Sequence, residues 1–404
     1  MTLPKCMVPW THVEVCTTGF VRPCAEFNRD ILDEDGNKFD LNKPETDLRK
    51  VWNSQDLKDI RQRFLNGEKL SECSKCWQQE QQGLLSRRQR ELDAHGKHLD
   101  ICTDTTAPDP ILLDVKLGIK CNLQCKICNS EYSNNWIKDE QEMFGQVINV
   151  QNGKDWTDDN INWQHIKDVA ENLEVLYLSG GETLLLPNTI DLLQHLIDID
   201  VAKNIWLKIH TNGTIRLSDT MLNIFKCFKA VRLMYSIDDI GSRFEYQRPP
   251  TKWSKVETNF IQAMQYDWID LRITYTVSLL NSLSGTALTN WCKNVGFPLE
   301  HVEVNFLRHP IYYELGILSD QQKQFLMSHM GNSDIDQQVI KYMKTQYYNT
   351  VENTDWRINS RKDLDNLRKY VILSLDKKSK YKLEDVTPEI AKLIYNENTA
   401  TNSY

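Results

Sequence analysis

Residues 121–128 read Cys-Asn-Leu-Gln-Cys-Lys-Ile-Cys, directly after an apolar, strand-like run at 111–118. The spacing C-x3-C-x2-C puts three thiols on one short loop. A cube of four irons and four sulfides offers one corner to each ligand, so three thiolates would leave one iron open to a small chelating molecule. Cysteine triplets at short spacing also bind zinc when a histidine or a fourth cysteine completes a tetrahedron. The triplet by itself therefore leaves iron and zinc as alternatives.

The chain beyond residue 110 alternates strand-like apolar runs with helical patterns. Strands are predicted at 111–118, 173–178, 204–210, 231–237, 271–277 and 302–306, and helices at 132–143, 190–197, 218–228, 256–266 and 286–294. Strands separated by helices imply right-handed βαβ units and a parallel sheet. Six such units are too few to close an eight-fold barrel. The predicted fold class is therefore α/β, with an open, partial (β/α)6 barrel of the TIM type.

Polar and glycine-containing motifs follow the first four predicted strands. In parallel α/β folds the functional residues lie at the C-terminal ends of the strands. The motifs at these ends are the cysteine triplet, Ser179-Gly180-Gly181-Glu182, Thr211-Asn212-Gly213, and Ser236 with Asp238. Because the four motifs occupy equivalent positions, they indicate one site at one edge of the predicted sheet.

Together these motifs resemble the radical S-adenosylmethionine (SAM) superfamily. The match is residue for residue at Cys121, Cys125 and Cys128, whereas Ile127 stands where the family often has an aromatic residue. The resemblance implies a catalytic 4Fe-4S cluster on the three thiols, whose open iron is chelated by the amino and carboxylate groups of SAM. It also implies the reaction: an electron from the cluster cleaves SAM to methionine and a 5'-deoxyadenosyl radical, which abstracts hydrogen from a substrate.

The same resemblance suggests which residues contact SAM. Gly180 and Gly181 would approach its methionyl amine, where glycine permits close backbone contact, and Glu182 would pair with the ammonium. The candidate contacts for the ribose and the methionyl carboxylate are Asn212, Ser236 and Arg248. Ordinary turn formation and solvation remain the alternative role for each of these residues.

Residues 1–102 form a predicted first domain that contains a hairpin, a helix at 54–65 and further cysteines. The patterns Cys6-x12-Gly19-x4-Cys24 and Cys73-x2-Cys76 resemble the SPASM and twitch auxiliary-cluster modules. This resemblance implies a second, auxiliary 4Fe-4S cluster on Cys6, Cys24, Cys73 and Cys76, with Cys16 as the rival of Cys6. A zinc ribbon has similar spacing and remains the alternative. The module departs from the family habit because it precedes the catalytic domain.

The rest of the chain completes the predicted domain order. Residues 103–310 form the predicted barrel, which begins with a linker at 103–110, and residues 311–404 form a helical extension that either caps the barrel or projects into solvent. Isolated cysteines are expected to be buried structural thiols; these are Cys102, Cys227 and Cys292.

Composition limits the possible partners. The 404 residues carry a formal charge of -8, which disfavours a nucleic-acid surface. The local basic run Arg87-Arg88-Gln89-Arg90 is interpreted as a solvated helix face. Eleven cysteines, an odd number, fit metal ligation better than disulfides. With no signal peptide or membrane span predicted, we expect a soluble, cytoplasmic protein.

The family resemblance also suggests the partners. Auxiliary modules of this type are common in enzymes that modify peptides, so a peptide or protein is the expected substrate, with a small metabolite or nucleotide as the alternative. SAM and a flavodoxin- or ferredoxin-like reductant are the other expected partners. The competing class is a non-catalytic iron–sulfur or zinc protein used for electron transfer or binding.

Overall fold

The computed structural model describes residues 6–43, 45–81, 83, 85–147, 155–344 and 360–395. The strands in these residues are β1 (His12–Val15), β2 (Val21–Arg22), β3 (Leu112–Leu117), β4 (Val175–Gly180), β5 (Trp206–Thr211), β6 (Ala230–Ser236), β7 (Ile269–Val277) and β8 (Val302–Phe306). They form a mostly parallel sheet in the order β2-β1-β3-β4-β5-β6-β7-β8. The α/β prediction is confirmed, and the six predicted strands correspond to β3 through β8.

Helices separate most of these strands. In the first part of the chain they are α1 (Val8–Thr11), α2 (Leu48–Trp52), α3 (Gln55–Leu65), α4 (Ser74–Gln81), α5 (Arg87–His95), α6 (Ile137–Phe144), α7 (Asn160–Asp168), α8 (Pro187–Asp198) and α9 (Asp219–Phe225). The remaining helices are α10 (Gly241–Gln247), α11 (Trp253–Ala263), α12 (Gly285–Val295), α13 (Asp320–His329), α14 (Asp334–Lys344), α15 (Arg361–Asp376), α16 (Leu383–Val386) and α17 (Pro388–Tyr395). The helical prediction for the C-terminal extension is confirmed in its described residues.

The chain divides into two compact units. The first comprises Met1–Lys120, Asn149–His210 and Leu217–Arg232, and the second comprises Cys121–Ile148, Thr211–Arg216 and Leu233–Tyr404. In the first unit, β1 pairs antiparallel with β2, which confirms the predicted hairpin. The same strand also pairs in parallel with β3, with Val13 opposite Leu113. The hairpin therefore extends the sheet that β3 to β5 continue, because its apolar residues are buried against the same core.

Strand periodicity gives the first unit one apolar and one polar sheet face. Leu113, Val115, Leu176, Leu178, Leu207 and Ile209 are fully buried. The alternate positions include most of the polar residues of these strands, and the pairing places Glu14, Asp114, Tyr177 and Lys208 in one row across four strands. One expectation fails in this unit: the Cys227 thiol is exposed rather than buried, because it follows α9 at a surface turn and donates to the carbonyl of Asn223.

In the second unit, β7 and β8 pair in parallel with Ile273 opposite Val302. The helix predicted at 256–266 begins three residues earlier, at Trp253, whose backbone N–H donates to the Glu245 carboxylate at 3.2 Å. The short helix α10 was not predicted, because seven residues are too few to show a clear helical period. This helix leads directly into the segment that holds Arg248.

Candidate metal centres

The three-cysteine loop follows β3 through a left-handed turn at Gly118, where φ is +55°. A side chain at this position would place its Cβ 1.9 Å from Oδ1 of Asp155, so only glycine fits. Within the second unit, Cys121, Cys125 and Cys128 are all partly buried. The backbone N–H of Cys128 donates to the carbonyl of Cys125 at 2.9 Å. This turn brings the second and third cysteines of the motif close together.

Two side chains of the second unit donate to sulfur atoms of this loop. Nη1 of Arg248 lies 3.7 Å from Sγ of Cys125, and Nδ2 of Asn212 lies 3.9 Å from Sγ of Cys121. Asn212 also donates to Oδ1 of Asn122 at 2.8 Å. Asn212 and Arg248, predicted as SAM contacts, thus lie at the sulfur atoms of the predicted cluster ligands. N–H donors near sulfur stabilise the negative charge that a metal-bound thiolate carries.

Arg248 is held in place by a buried carboxylate. Its Nε and Nη2 lie 2.8 Å and 2.5 Å from Oδ2 of Asp238, whose other oxygen accepts the backbone N–H of Thr276 at 3.0 Å. Although burial by itself lowers the pKa of Arg248, Asp238 and the thiol of Cys125 raise it above its usual value. The guanidinium is therefore a fixed positive charge beside the loop.

The thiols of the loop are in an environment that disfavours free thiolates. Burial raises the pKa of the Cys125 thiol to about 12, an effect that Arg248 opposes. Burial also raises the pKa of Cys128, and the neighbouring Cys125 adds to that shift. Metal coordination supplies the positive charge that deprotonates a cysteine in such surroundings. The chemistry of this donor set thus fits a bound metal centre better than a reactive free thiol.

A cavity of about 560 Å³ opens beside the same loop in the second unit. This volume lies in the range of small-molecule sites. The cavity is lined by Asn122 and Leu123 of the loop, by Thr214, and by residues 250–252, 254, 255, 258 and 259, including Lys252 and Lys255. These lysines were not found from the sequence, because a lysine on an exposed helix face shows no pattern that separates binding from solvation.

The glycine-glycine-glutamate turn belongs to the first unit. The N–H of Gly181 donates to the carbonyl of Gly118 at 3.1 Å, and that of Glu182 donates to the carbonyl of Lys120 at 2.8 Å. A Cβ at Gly181 would lie 2.1 Å from the carbonyl oxygen of Lys120, so the close approach requires glycine. The buried carboxylate of Glu182 accepts the N–H of Leu184 at 3.2 Å and caps a short 3-10 turn. A role of Glu182 in binding SAM stays a prediction.

Ser236, the remaining predicted SAM contact, is partly buried and ends β6. This position is at the C-terminal end of its strand, as expected. Its proposed contact with SAM stays a prediction.

Four cysteines of the first unit line one small cavity. They are Cys6, Cys24, Cys73 and Cys76. Cys6 lies two residues before α1, Cys24 follows β2, Cys73 ends a 3-10 turn and Cys76 lies in the first turn of α4. Spacing of i and i+3 puts Cys73 and Cys76 on one side of this turn. The four predicted auxiliary ligands therefore share one cavity, although they come from distant parts of the sequence.

Cys16 has different surroundings. Its Sγ donates to Oε1 of Glu14 at 3.9 Å, and its backbone closes the hairpin through the N–H of Gly19, which donates to its carbonyl at 2.9 Å. Burial, together with Glu14, raises the pKa of the Cys16 thiol to about 12. Cys16 is absent from the lining that the structure describes for the four-cysteine cavity. The geometry therefore favours Cys6 as the fourth member of the group.

Two arginines also line the four-cysteine cavity, so the interpretation of the basic run as a solvated helix face is wrong for them. Arg88 pairs with Glu80 at 2.6 Å. Nη2 of Arg87 lies 2.9 Å from Nε2 of His12 and 3.4 Å from Oδ2 of Asp114. Only Arg90 of the three arginines is exposed. Helical spacing alone could not show that α5 turns its first residues toward the cysteines.

The polar face of the first unit contains further titratable residues that the sequence interpretation missed. Oδ1 of Asp114 and Oε2 of Glu14 are buried without a hydrogen-bond partner among the described residues. Burial, together with Glu14, raises the pKa of Asp114 to about 6. The hydroxyl of Tyr177 lies 2.5 Å from Nε2 of His210, whose pKa burial lowers to about 4. The sequence signal that could have revealed these residues is the presence of charged residues at alternate positions of an otherwise apolar strand.

No three His, Cys, Asp or Glu side chains converge on a single-ion site in the described part of the chain. The ligands of a cluster bind different irons, so they do not need to meet at one point. None of the described helices combines the length and apolar composition needed to cross a membrane.

Comparison with known families finds a similar domain for the region that contains the four-cysteine group. Residues 6–77 match the model of the SPASM iron–sulfur cluster-binding domain, a range that includes all four cysteines. The N-terminal part of the chain is thus similar to a SPASM domain over residues 6–77, in agreement with the resemblance seen in the sequence.

Comparison with complete proteins gave more distant likenesses. No curated protein matches this chain. Among solved structures, native anSMEcpe with bound AdoMet is 17% identical with a TM-score of 0.38, and the match covers 55% of this chain and 60% of that one. Native anSMEcpe with AdoMet and Cp18Cys peptide is 18% identical with a TM-score of 0.36, covering 54% and 58%. Streptococcus suis SuiB bound to S-adenosylmethionine is 15% identical with a TM-score of 0.36, covering 66% and 56%. The matches thus span less than two thirds of each of these chains.

Proposed function

We propose that this chain is a radical SAM enzyme with an auxiliary iron–sulfur cluster. The observation that carries the proposal is the three-cysteine loop after β3, where N–H donors of Arg248 and Asn212 meet the sulfurs of Cys125 and Cys121. The match of residues 6–77 to an iron–sulfur domain supports it independently, because an enzyme of this kind with an auxiliary cluster would need a second cysteine group suited to the same chemistry.

The three-cysteine loop suits a cluster with one open iron. When bound, a 4Fe-4S cluster with three protein ligands supplies the electron that cleaves SAM to a 5'-deoxyadenosyl radical. Cys121, Cys125 and Cys128 would hold the group, while Arg248 and Asn212 would donate to its sulfur ligands. The cavity beside the loop is large enough for a small molecule. The protein's part is therefore to bind SAM, orient it and exclude water.

The SAM contacts are part of the same proposal. Gly180 and Gly181 allow close backbone approach, and Glu182 would pair with the ammonium of SAM. Ser236 and the side chains of Asn212 and Arg248 would contact the ribose and the methionyl carboxylate. Because Arg248 is a fixed cation, it suits a carboxylate better than a neutral ribose hydroxyl.

We assign the auxiliary site to Cys6, Cys24, Cys73 and Cys76. Four thiolates fill all four corners of a 4Fe-4S cluster, so this group would have no open iron for substrate. Arg87 and Arg88 line the same cavity and would offset the negative charge of four thiolates. The module would conduct electrons to or from the substrate radical, or stabilise a segment that has little core of its own.

A peptide or protein is the proposed substrate, and a flavodoxin- or ferredoxin-like protein is the proposed reductant. The presence of an auxiliary domain supports a peptide, since such domains accompany many peptide-modifying enzymes. A fraction of cellular peptides should raise 5'-deoxyadenosine formation above the rate without substrate, whereas a fraction of small metabolites should not. Stimulation by metabolites alone would favour the small-molecule alternative.

The reaction is tested by anaerobic reconstitution followed by dithionite and SAM. The wild-type chain should hold about eight irons and release 5'-deoxyadenosine. Cys125→Ala should abolish that product, whereas Cys292→Ala, which removes a buried thiol far from either cysteine group in the sequence, should not. Full iron loading without 5'-deoxyadenosine would leave a non-catalytic carrier, and zinc in both groups would end the proposal.

A further inference from the structure

A charged side chain is buried between two proposed cluster ligands. Lys126 lies between Cys125 and Cys128, and only 1% of it is exposed. Burying an ammonium group is costly unless it is paired and hydrogen-bonded. An apolar residue at position 126 could shield the loop from water without this cost. The contacts of this lysine therefore indicate what the charge does.

The lysine ammonium is held by the C-terminal helices, within the same unit as the loop. Its Nζ lies 3.3 Å from Oδ1 of Asp376, donates to Oγ of Ser379 at 3.1 Å, and lies 4.2 Å from the ring centroid of Tyr246. Asp376 ends α15, and its second oxygen accepts the backbone N–H of Leu383 at 2.9 Å. One carboxylate thus joins the cluster loop to two segments of the C-terminal extension.

The backbone on this side of the loop is also fixed. The N–H of Lys126 donates to the carbonyl of Gln247 at 2.8 Å, and that of Gln124 donates to the carbonyl of Pro249 at 2.7 Å. These bonds flank Cys125, and they connect the loop to the segment that holds Arg248. The lysine side chain therefore projects from a rigid part of the loop into the C-terminal helices.

We propose that Lys126 is a positioning residue for the three-cysteine loop and that α15 acts on this loop through Asp376. The described residues 360–395 are then part of the cluster site rather than a separate cap or appendage. This inference rests on the proposed function of the loop. It goes further by assigning a role to the C-terminal extension and to a residue between two ligands.

An exposed ion pair in the same region provides a matched control. Lys138 lies 3.8 Å from Glu142, and 84% and 49% of the two side chains are exposed. Surface pairs contribute little to stability, whereas breaking a buried pair leaves a charge uncompensated. Lys138→Met should therefore leave the cluster unchanged, although it removes an ion pair in the same unit as the loop.

The test compares Lys126→Met, Lys126→Arg and the apolar double variant Lys126→Met/Asp376→Leu. Apolar replacement of a buried pair is often neutral for stability, so the double variant should fold even if Lys126→Met does not. Apolar side chains pack without the directional bonds to Asp376 and Ser379. We expect both Met variants to lose iron from the three-cysteine site or to change its electron paramagnetic resonance signal. Displacement of the site by about 1 Å should lower 5'-deoxyadenosine formation about 100-fold.

Retention of the positive charge should rescue the site. Lys126→Arg and the Lys138→Met control are expected to keep the wild-type resonance signal and iron content. A lower melting temperature in the double variant, with iron and signal unchanged, would show a merely structural pair and overturn the inference. If the wild-type chain itself holds no cluster on residues 121–128, the proposed function fails instead, so the two failures are distinguishable.

Discussion

The choice between Cys6 and Cys16 as the fourth auxiliary ligand can be tested with two matched substitutions. Both thiols are buried, and both lie in the N-terminal hairpin region of the first unit. Each of the substitutions Cys6→Ala and Cys16→Ala removes one sulfur atom from a buried position. Any difference in iron content between the variants therefore reports ligation rather than packing.

The expected sizes of the two effects differ. Loss of one buried sulfur costs about 1 kcal/mol in packing for either residue. Cys16 loses in addition only a weak contact with Glu14, at 3.9 Å. Loss of Cys6 would leave three thiolates in the four-cysteine cavity, and the chain should lose up to about four irons. Because metal binding is coupled to folding, the N-terminal domain should also melt at lower temperature.

The assay is iron and sulfide analysis after anaerobic reconstitution, with thermal unfolding followed on the same samples. Cys16→Ala should keep about eight irons per chain and Cys6→Ala about four. A second measurement uses the high pKa of Cys16, which burial and Glu14 raise to about 12. This thiol should react slowly with an alkylating reagent at neutral pH, since the thiolate is the nucleophile. Iron loss from Cys16→Ala with full iron in Cys6→Ala would refute the assignment.

Three further predictions concern the rest of the site. Cys125→Ala should abolish 5'-deoxyadenosine formation, whereas Cys76→Ala should lose up to about four irons yet retain slow SAM cleavage; a soluble Cys76→Ala chain with an intact three-cysteine cluster and no cleavage would contradict this division. Glu182→Ala should weaken SAM binding about 10- to 150-fold, as measured by titration, because a charge-assisted contact is worth about 1.5–3 kcal/mol; a loss of about 1 kcal/mol of stability with unchanged SAM affinity would leave only its capping role. Burial lowers the pKa of His210 to about 4, below its unfolded value near 6.5, so the unfolded chain binds more protons between these pH values and stability falls as the pH drops through them. As the pH falls through this range, the free energy of unfolding of His210→Gln should decrease by about 3 kcal/mol less than that of the wild type, as measured by urea titrations. An unchanged pH profile would argue against a neutral, buried imidazole.

Local patterns in the sequence determined much of the fold and the chemistry. The apolar patterns at 111–118 and 173–178 correspond to β3 and β4, because alternate residues of a strand share a face and the apolar face of these strands is buried. Pro187 opens α8, since its fixed φ suits the first turn of a helix. The spacing of Cys121, Cys125 and Cys128 identified the loop because its three thiols lie close together in the sequence.

Contacts between distant residues needed the tertiary structure. The four-cysteine cavity joins Cys6 to Cys76, and no local rule separates Cys6, before α1, from Cys16, directly after β1. The Lys126–Asp376 pair connects residues 250 positions apart. Such pairs form because each charge must find a partner wherever the fold buries it, whereas periodicity shows only that a residue lies on one face of its own element. The sequence by itself therefore determined the strands and the cysteine motifs, and the packing of the chain decided which side chains surround each sulfur.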